Sequence, residues 1–229
     1  AVIVIVYIGG SSVQVSIGAV CGGLLAAVVV YLVAWKRGVQ AYRLVLVGIG
    51  VGFAIGAMID YTITRADIND VQRAAVWLTG SLNGRSWEEV RIVSVALLVL
   101  GPVAIVMQRH LDLLDLGDDT AAGLGLNVGR VKFALVIVGV LLAALGVAAA
   151  GPVAFVAFVS GPIARRLVSS PGACIVPAAF VGALVTVVAD LAARRVLAPT
   201  ELPVGIMTAL IGAPYLLWLL TRHARTGAL

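Results

Sequence analysis

Few side chains in this sequence could perform chemistry, and none is spaced for it. His110 and His223 each stand beside an arginine at a helix end, with no cluster at metal-ligand spacing. Cys21 and Cys174 lie far apart in apolar or loop context. A disulfide framework or zinc site needs more partners, so both read as packing residues. Lys36 and Lys132 lack the glycine-rich run of a Walker A phosphate cradle, and no serine stands in a G-x-S-x-G elbow. No catalytic residue, metal or cofactor is therefore expected of this chain. Two acids lie within or close to apolar stretches. Asp60 precedes Thr64 by four residues, and Asp190 precedes Arg194 by four. Carboxylates inside membranes are often functional, but Asp-to-Arg at i, i+4 is the favourable order for an ion pair. Asp190 and Arg194 are expected to pair.

The elements that hold these residues follow from composition. Of 229 residues, 62% are hydrophobic, against about 45–50% in an ordinary soluble domain. Charged residues are 12%, about half the usual share. Mean hydropathy is +1.12. So little charge cannot coat a soluble globule, and so many aliphatics exclude disorder. The solvent of such a chain is largely lipid. The net charge of +5 is spread without a basic run, which gives no sign of nucleic-acid binding.

Apolar stretches of about 20 residues read as membrane-spanning helices, since lipid offers free backbone groups no partner. Ala1–Ile8 reads as the end of one. Complete spans are expected at Ser16–Trp35, Leu44–Thr64, Val90–Gln108, Val131–Ala150, Ala173–Ala193 and Val204–Leu220. Val153–Ala164, entered through Gly151-Pro152, is too short to cross alone. The chain opens at Ala1 inside an apolar run without the pattern of a signal peptide, so earlier spans of a longer polytopic chain are expected to be missing. The whole of residues 1–229 reads as one all-α transmembrane domain. Its 26 glycines and 8 prolines suit a transporter or channel better than an anchor.

Orientation follows from the basic residues. Lys36, Arg37, Arg43, Arg109, Arg130, Lys132, Arg165, Arg166, Arg222 and Arg225 fall in one set of alternate loops; Arg65, Arg73, Arg85, Arg91, Arg194 and Arg195 fall in the other. The larger set faces inward, which puts the C-terminus and 111–130 in the cytoplasm and 65–89 outside.

Gly48, Gly52 and Gly56 recur every four residues and share a helix face, as do Gly18 and Gly22. Such faces let helices approach closely, which predicts packing within the chain, with a subunit interface or pore lining as the alternative. The inner segment 111–130, LDLLDLGDDTAAGLGLNVGR, mixes leucines with Asp112, Asp115, Asp118 and Asp119 before a glycine-punctuated stretch. It predicts one or two short amphipathic helices at the membrane surface. Acids oppose a mere lipid anchor on a negative inner leaflet, so a protein partner is the better occupant.

These residues resemble a known family. Gly117-Asp118-Asp119-Thr120-Ala121-Ala122-Gly123-Leu124-Gly125 is similar to the ATPase-coupling loop of the ABC importer permeases for ferric siderophores, haem and vitamin B12. Trp77 to Trp87 resembles the family's W-x-x-G-S-x-x-G-x-x-W stretch, and Gly151 to Val156 its G-P-I-x-F segment. Ala189 to Arg194 matches A-D-x-x-A-R, and Glu201 to Pro214 matches E-L-P-x-G-x-x-T-A-x-x-G-x-P. The likeness runs from about Ser16 to Leu220 and looks most like ferric enterobactin permeases. Two departures stand out. Gly161-Pro162-Ile163 replaces the Pro-His common after G-P-I-x-F, and Gln40-Ala41-Tyr42 replaces a small hydroxyl residue before Arg43.

The resemblance implies a type II importer bundle of about ten spans that pairs with a second permease, here a paralogue. It implies two ATPase subunits that hold ATP and Mg²⁺, a substrate-binding protein, and a ferric siderophore as cargo. It implies that Gly117, Asp118, Asp119, Thr120, Ala121, Ala122, Gly123 and Gly125 form the coupling loop, that Arg194 meets the binding protein, and that Ala41 and Tyr42 form a cytoplasmic gate. Haem or cobalamin remain alternative cargoes within the family. An ion-coupled carrier is the alternative from another class, though neither the inverted repeat nor the mid-membrane carboxylate it requires is found.

Overall fold

A computed structural model describes residues 1–8, 12–34, 41–169, 172–196 and 202–225. Ten α-helices and no strand occur among them: α1 (Val2–Ile8), α2 (Ser12–Ala34), α3 (Ala41–Thr64), α4 (Ile68–Thr79), α5 (Trp87–Leu114), α6 (Asp118–Gly123), α7 (Val128–Ala150), α8 (Val156–Val168), α9 (Ile175–Arg195) and α10 (Val204–Arg225). Five of these, α2, α3, α5, α7 and α9, are long and apolar enough to cross a membrane. The 23 residues of α2 give about 34 Å at 1.5 Å per residue, matching a hydrocarbon core of about 30 Å. The 13 residues of α8 give only about 20 Å, so the expectation that this segment cannot cross alone holds.

One part of the sequence reading needs correction. The polar stretch 65–89 is largely helical, since α4 fills most of it and Trp87 already opens α5. Glu88 and Glu89 form the first turn of α5. There the Glu89 carboxylate accepts the Ser86 backbone N–H at 2.8 Å, a capping box. In 111–130 the structure has one short helix, within the one or two expected. Leu111–Leu114 continue α5, and Val128–Arg130 begin α7.

The chain divides into two compact units. The first comprises Ala1–Ala75 and Ser86–Ala149, and the second comprises Val76–Arg85 and Ala150–Leu229. In the first, α2 is tied to α7. Ser16 Oγ donates to the Ala148 carbonyl at 3.1 Å, Tyr31 Oη donates to the Gly129 carbonyl at 3.4 Å, and the Tyr31 and Phe133 rings lie 4.8 Å apart. The close approaches come at other glycines than expected. A Cβ at Gly18 would stand 2.8 Å from the Val4 side chain, and one at Gly23 would stand 3.3 Å from Ala144 Cβ. Gly48, Gly52 and Gly56 would meet nothing within 4 Å, and Gly48 and Gly52 border an open groove of about 390 Å³ between α2, α3 and α7. Close packing of the Gly48–Gly56 face within the chain is therefore not what the described residues show. Cys21 is exposed rather than packed.

In the second unit α8, α9 and α10 pack together. Its core is Ala189, Ala193, Val204 and Met207, flanked by Leu82, Val153, Ala192 and Leu202. Small residues at contact points are how helices pack where lipid removes the hydrophobic drive between them. Large apolar side chains such as Phe53, Leu98 and Phe180 point outward instead, as a lipid solvent requires.

Candidate functional site

The segment between α5 and α7 is built as a rigid, exposed turn. Gly117, at φ +99°, breaks the chain away from α5 and is the N-cap of α6. At the other end the Gly125 N–H donates to the Ala122 carbonyl at 2.9 Å, and the Leu126 N–H to the Ala121 carbonyl at 3.1 Å. This crossed pair, with Gly125 at φ +86°, is a Schellman closure, and only glycine takes that conformation without strain. Asn127 then caps α7, its Oδ1 accepting the Arg130 N–H at 3.2 Å. Lys132 on α7 pairs with Asp118 at 2.5 Å, which ties the first turn of α6 to the following helix.

Ala121 is the buried anchor of α6. Asp118, Asp119, Thr120, Ala122 and Gly123 are exposed, as are Leu116 and Leu124 on either side of the helix. The structure thus presents a short acidic helix flanked by two bare leucines, held at both ends by glycines. Gly123 itself is helical, and a Cβ there would meet nothing within 4 Å. The chain therefore turns at Gly125, together with Gly117 before the helix. What Gly123 leaves open is the outer surface of α6.

In the second unit, α9 sorts the A-D-x-x-A-R motif onto two faces. Ala189 and Ala193 are fully buried in the core, while Asp190 and Arg194 stand on the other side. The Arg194 guanidinium grips the Asp190 carboxylate with two bonds, Nε at 2.8 Å and a terminal nitrogen at 3.4 Å. The expected pair is therefore present, and 42% of the Arg194 side chain remains exposed. Bidentate geometry fixes the plane of the guanidinium more firmly than a single contact would.

Three other motifs meet in one knot of glycines that sequence reasoning missed. The Ser81 N–H donates to the Ala150 carbonyl at 2.8 Å, and the Gly205 N–H to the Gly80 carbonyl at 3.1 Å. A Cβ at Gly80 would collide with the Pro152 carbonyl, one at Gly205 with the Thr79 carbonyl, and one at Gly151 would stand 2.5 Å from the Trp77 carbonyl. Gly80 and Gly151 also have φ of +68° and +74°. A little further along, Gly212 of α10 seats against Phe155 of the G-P-V-A-F segment. The quoted motifs carried the signal, but nothing in their spacing showed that they touch.

Tyr42 lies exposed on the first turn of α3, whose first residue is Ala41. Residues 35–40, which precede this gate position, lie outside the described residues, as do 197–201 with Glu201. Among the described residues no group of three or more His, Cys, Asp or Glu side chains could hold a metal ion.

Comparison with known proteins fits this geometry. The family model of the FecCD transport family matches residues 1–222. The Fe(3+)-citrate import system permease protein YfmE of Bacillus subtilis is 40% identical over 208 residues, covering 90% of this chain and 62% of that protein. The ferric enterobactin transport system permease protein FepG of Escherichia coli is 34% identical over 223 residues, covering 97% of this chain and 68% of that protein. The chain thus spans roughly two thirds or less of the length of these relatives. A solved inward-facing conformation of a metal-chelate type ABC transporter superposes with a TM-score of 0.87 over 96% of this chain and 71% of the other, at 23% identity, and shares the fold. The ordered motifs, the all-helical membrane bundle and the match along nearly the whole sequence converge, and the chain belongs to the FecCD transport family.

Proposed function

We propose that this chain is a membrane-spanning permease subunit of an ATP-driven importer in the cytoplasmic membrane, and that it passes a ferric siderophore delivered by a binding protein. The observation that carries the reading is α6, a rigid exposed helix between two spans whose sequence resembles the family's coupling loop. Its acidic, leucine-flanked surface suits a protein partner, and two ATPase subunits are the partners the family implies. ATP and Mg²⁺ belong on those subunits, so this chain hydrolyses nothing itself. A second permease, a paralogue in our reading, completes the pathway, and Ala41-Tyr42 narrows it on the cytoplasmic side. The C-terminus lies in the cytoplasm. Closure of the ATPases on ATP pulls α6 and shifts the bundle between inward- and outward-open populations. The nucleotide supplies the difference in free energy between those states.

The cargo assignment rests on relatives whose names specify ferric citrate and ferric enterobactin. The test is uptake into vesicles holding the permease pair and the ATPases, with binding protein and a radiolabelled ferric siderophore outside. ATP-dependent accumulation that competes with neither haem nor cobalamin is expected. Accumulation of haem or cobalamin in its place would move the cargo to the family's other branches. Uptake driven by an ion gradient without ATP would overturn the reading.

A further inference from the structure

The first two turns of α7 hold two other helices of the first unit at once. Gly129, Lys132 and Phe133 stand at i, i+3 and i+4 and so lie along one side of α7. Lys132 reaches Asp118, on the first turn of α6, at 2.5 Å. The Gly129 carbonyl accepts from the Tyr31 hydroxyl of α2 at 3.4 Å, and the Phe133 ring lies 4.8 Å from the Tyr31 ring at a tilt of 60°. Tyr31 is 3% exposed, and among the described residues it is the only buried aromatic. Leu32 and Val33 beside it are mostly bare. In a protein that buries mostly small side chains, one ring sunk into the last turns of a span is a peg.

That peg makes α2 and α7 one stiff pair. Ser16 meets Ala148 at one end of the contact, and Tyr31 meets Phe133 at the other. Fifteen residues separate these contacts on each helix, about 22 Å, so the two helices run antiparallel and in step. Between them, a Cβ at Gly23 would stand 3.3 Å from Ala144 Cβ. α6 is held more lightly. Its one buried residue is Ala121, and a helix of six residues seated at a single point can rock on it. The Lys132–Asp118 pair adds a second point, on the neighbouring helix. A part-exposed pair adds little to stability, so its effect lies in where it holds α6. With both points in place, displacement of α6 passes to α7. Through Tyr31 it reaches the end of α2, three residues short of Ala34. Six residues further on, α3 opens at Ala41.

We propose that Lys132 and Tyr31 are positioning residues that pass movement of α6, through the first turns of α7, to the Ala34 end of α2. The relay rests on the reading of α6 as the coupling helix and is independent of the cargo.

Distances measured by electron paramagnetic resonance in the assembled permease–ATPase complex test it, in a chain with Cys21 and Cys174 replaced by alanine. Spin labels go on L32C and L98C, exposed positions of α2 and α5, two helices that border one cavity of about 260 Å³. The distance between them should shift when the nucleotide-free complex is trapped with ATP and vanadate. K132Q should lose most of that shift while its thermal midpoint, ATPase copurification and basal hydrolysis stay near wild type. K132R keeps a cation within reach of Asp118 and should keep the shift. D118N should lose it as K132Q does, and D118N/K132Q should lose no more than either alone, because both remove one contact. Y31L keeps apolar bulk without the ring contact and should also lose most of the shift. No shift in the wild-type complex, or a full shift in Y31L, would overturn the relay. So would a K132Q chain that no longer binds its ATPases, since Lys132 would then belong to the docking surface. A full shift in K132Q alongside its loss in G123L would overturn the relay and leave the reading of α6 standing. A wild-type shift that survives G123L unchanged would instead remove α6 as the coupling helix, and the relay with it.

Discussion

Arg194 is held by Asp190 with 42% of its side chain exposed, which suits a residue that meets an acidic partner. An exposed pair of this kind adds only about 0–1 kcal/mol to stability, so its use is better sought in docking. Charges at the rim of an interface act mainly on association rate. Arg194→Ala should slow docking of the binding protein and flatten the salt dependence of the rate, while the ATPase complex assembles normally. Wild-type docking rates at low and high salt, measured by surface plasmon resonance, would leave Arg194 a structural residue with no part in docking. A second expectation concerns glycines. Gly205→Ala drives a methyl into the Thr79 carbonyl and should cost about 3 kcal/mol, read as a lower thermal midpoint and a loss of monodisperse protein. Gly48→Ala adds a methyl in open space on a helix and should be neutral or stabilising by up to about 1 kcal/mol. The Asp190–Arg194 pair was legible because its spacing is local. The glycine knot was not, because the need for glycine at Gly205 comes from a carbonyl more than a hundred residues away. Gly48, Gly52 and Gly56 gave the opposite error: their spacing places them on one face but does not say what that face meets.

At the scale of elements, hydropathy located the five long apolar helices with most ends within a few residues; α10, expected as a sixth span over Val204–Leu220, runs on to Arg225 and is not among those five, and α5 also outruns its expected bounds. Its first turn is acidic and its last two turns carry Arg109, His110 and Asp112, so the apolar window saw only the middle of the helix. α4 escaped for a similar reason. It is polar along one side, and a search for continuous apolar runs passes over such a helix. The segment after α5 shows what local chemistry can supply. Gly117, Gly125 and Asn127 are a helix start, a helix stop and a new cap, and the structure uses them so. This arrangement makes α6 testable on its own. Gly123→Leu places its side chain outside the fold, so expression and thermal midpoint should stay close to wild type. If that surface meets the ATPases, the variant should lose most transport and the stimulation of ATP hydrolysis by loaded binding protein. Unchanged uptake would show that nothing docks there. Gly125→Ala should behave differently. It strains the Schellman closure by about 1–3 kcal/mol and should lower the thermal midpoint of the permease itself.

The whole molecule is inside out by the standards of a soluble protein. Its buried positions in the described residues are mostly small, alanine and glycine foremost, and phenylalanine and leucine cover much of its exterior. Composition foretold this, because a chain with 12% charged residues has too little polar surface to face water. What composition could not supply is which loops face which compartment, and there the only guide is the distribution of basic residues. Ten of the sixteen lysines and arginines fall in the set of loops that includes the segment around α6. That distribution is why α6 is expected on the inner side, where ATPases are found. The prediction is direct, because Thr120 is exposed on α6 and a thiol there would react readily wherever reagent can reach it. In a chain with Cys21 and Cys174 replaced by alanine, a cysteine at position 120 should resist an impermeant maleimide applied to intact cells. It should label fully once the membrane is permeabilised. A cysteine at position 84, in the turn between α4 and α5, should show the reverse and label from outside without permeabilisation. Labelling of position 120 in intact cells would invert the orientation. The acidic helix would then lie beyond the reach of any cytoplasmic ATPase, and the coupling role would fall with it.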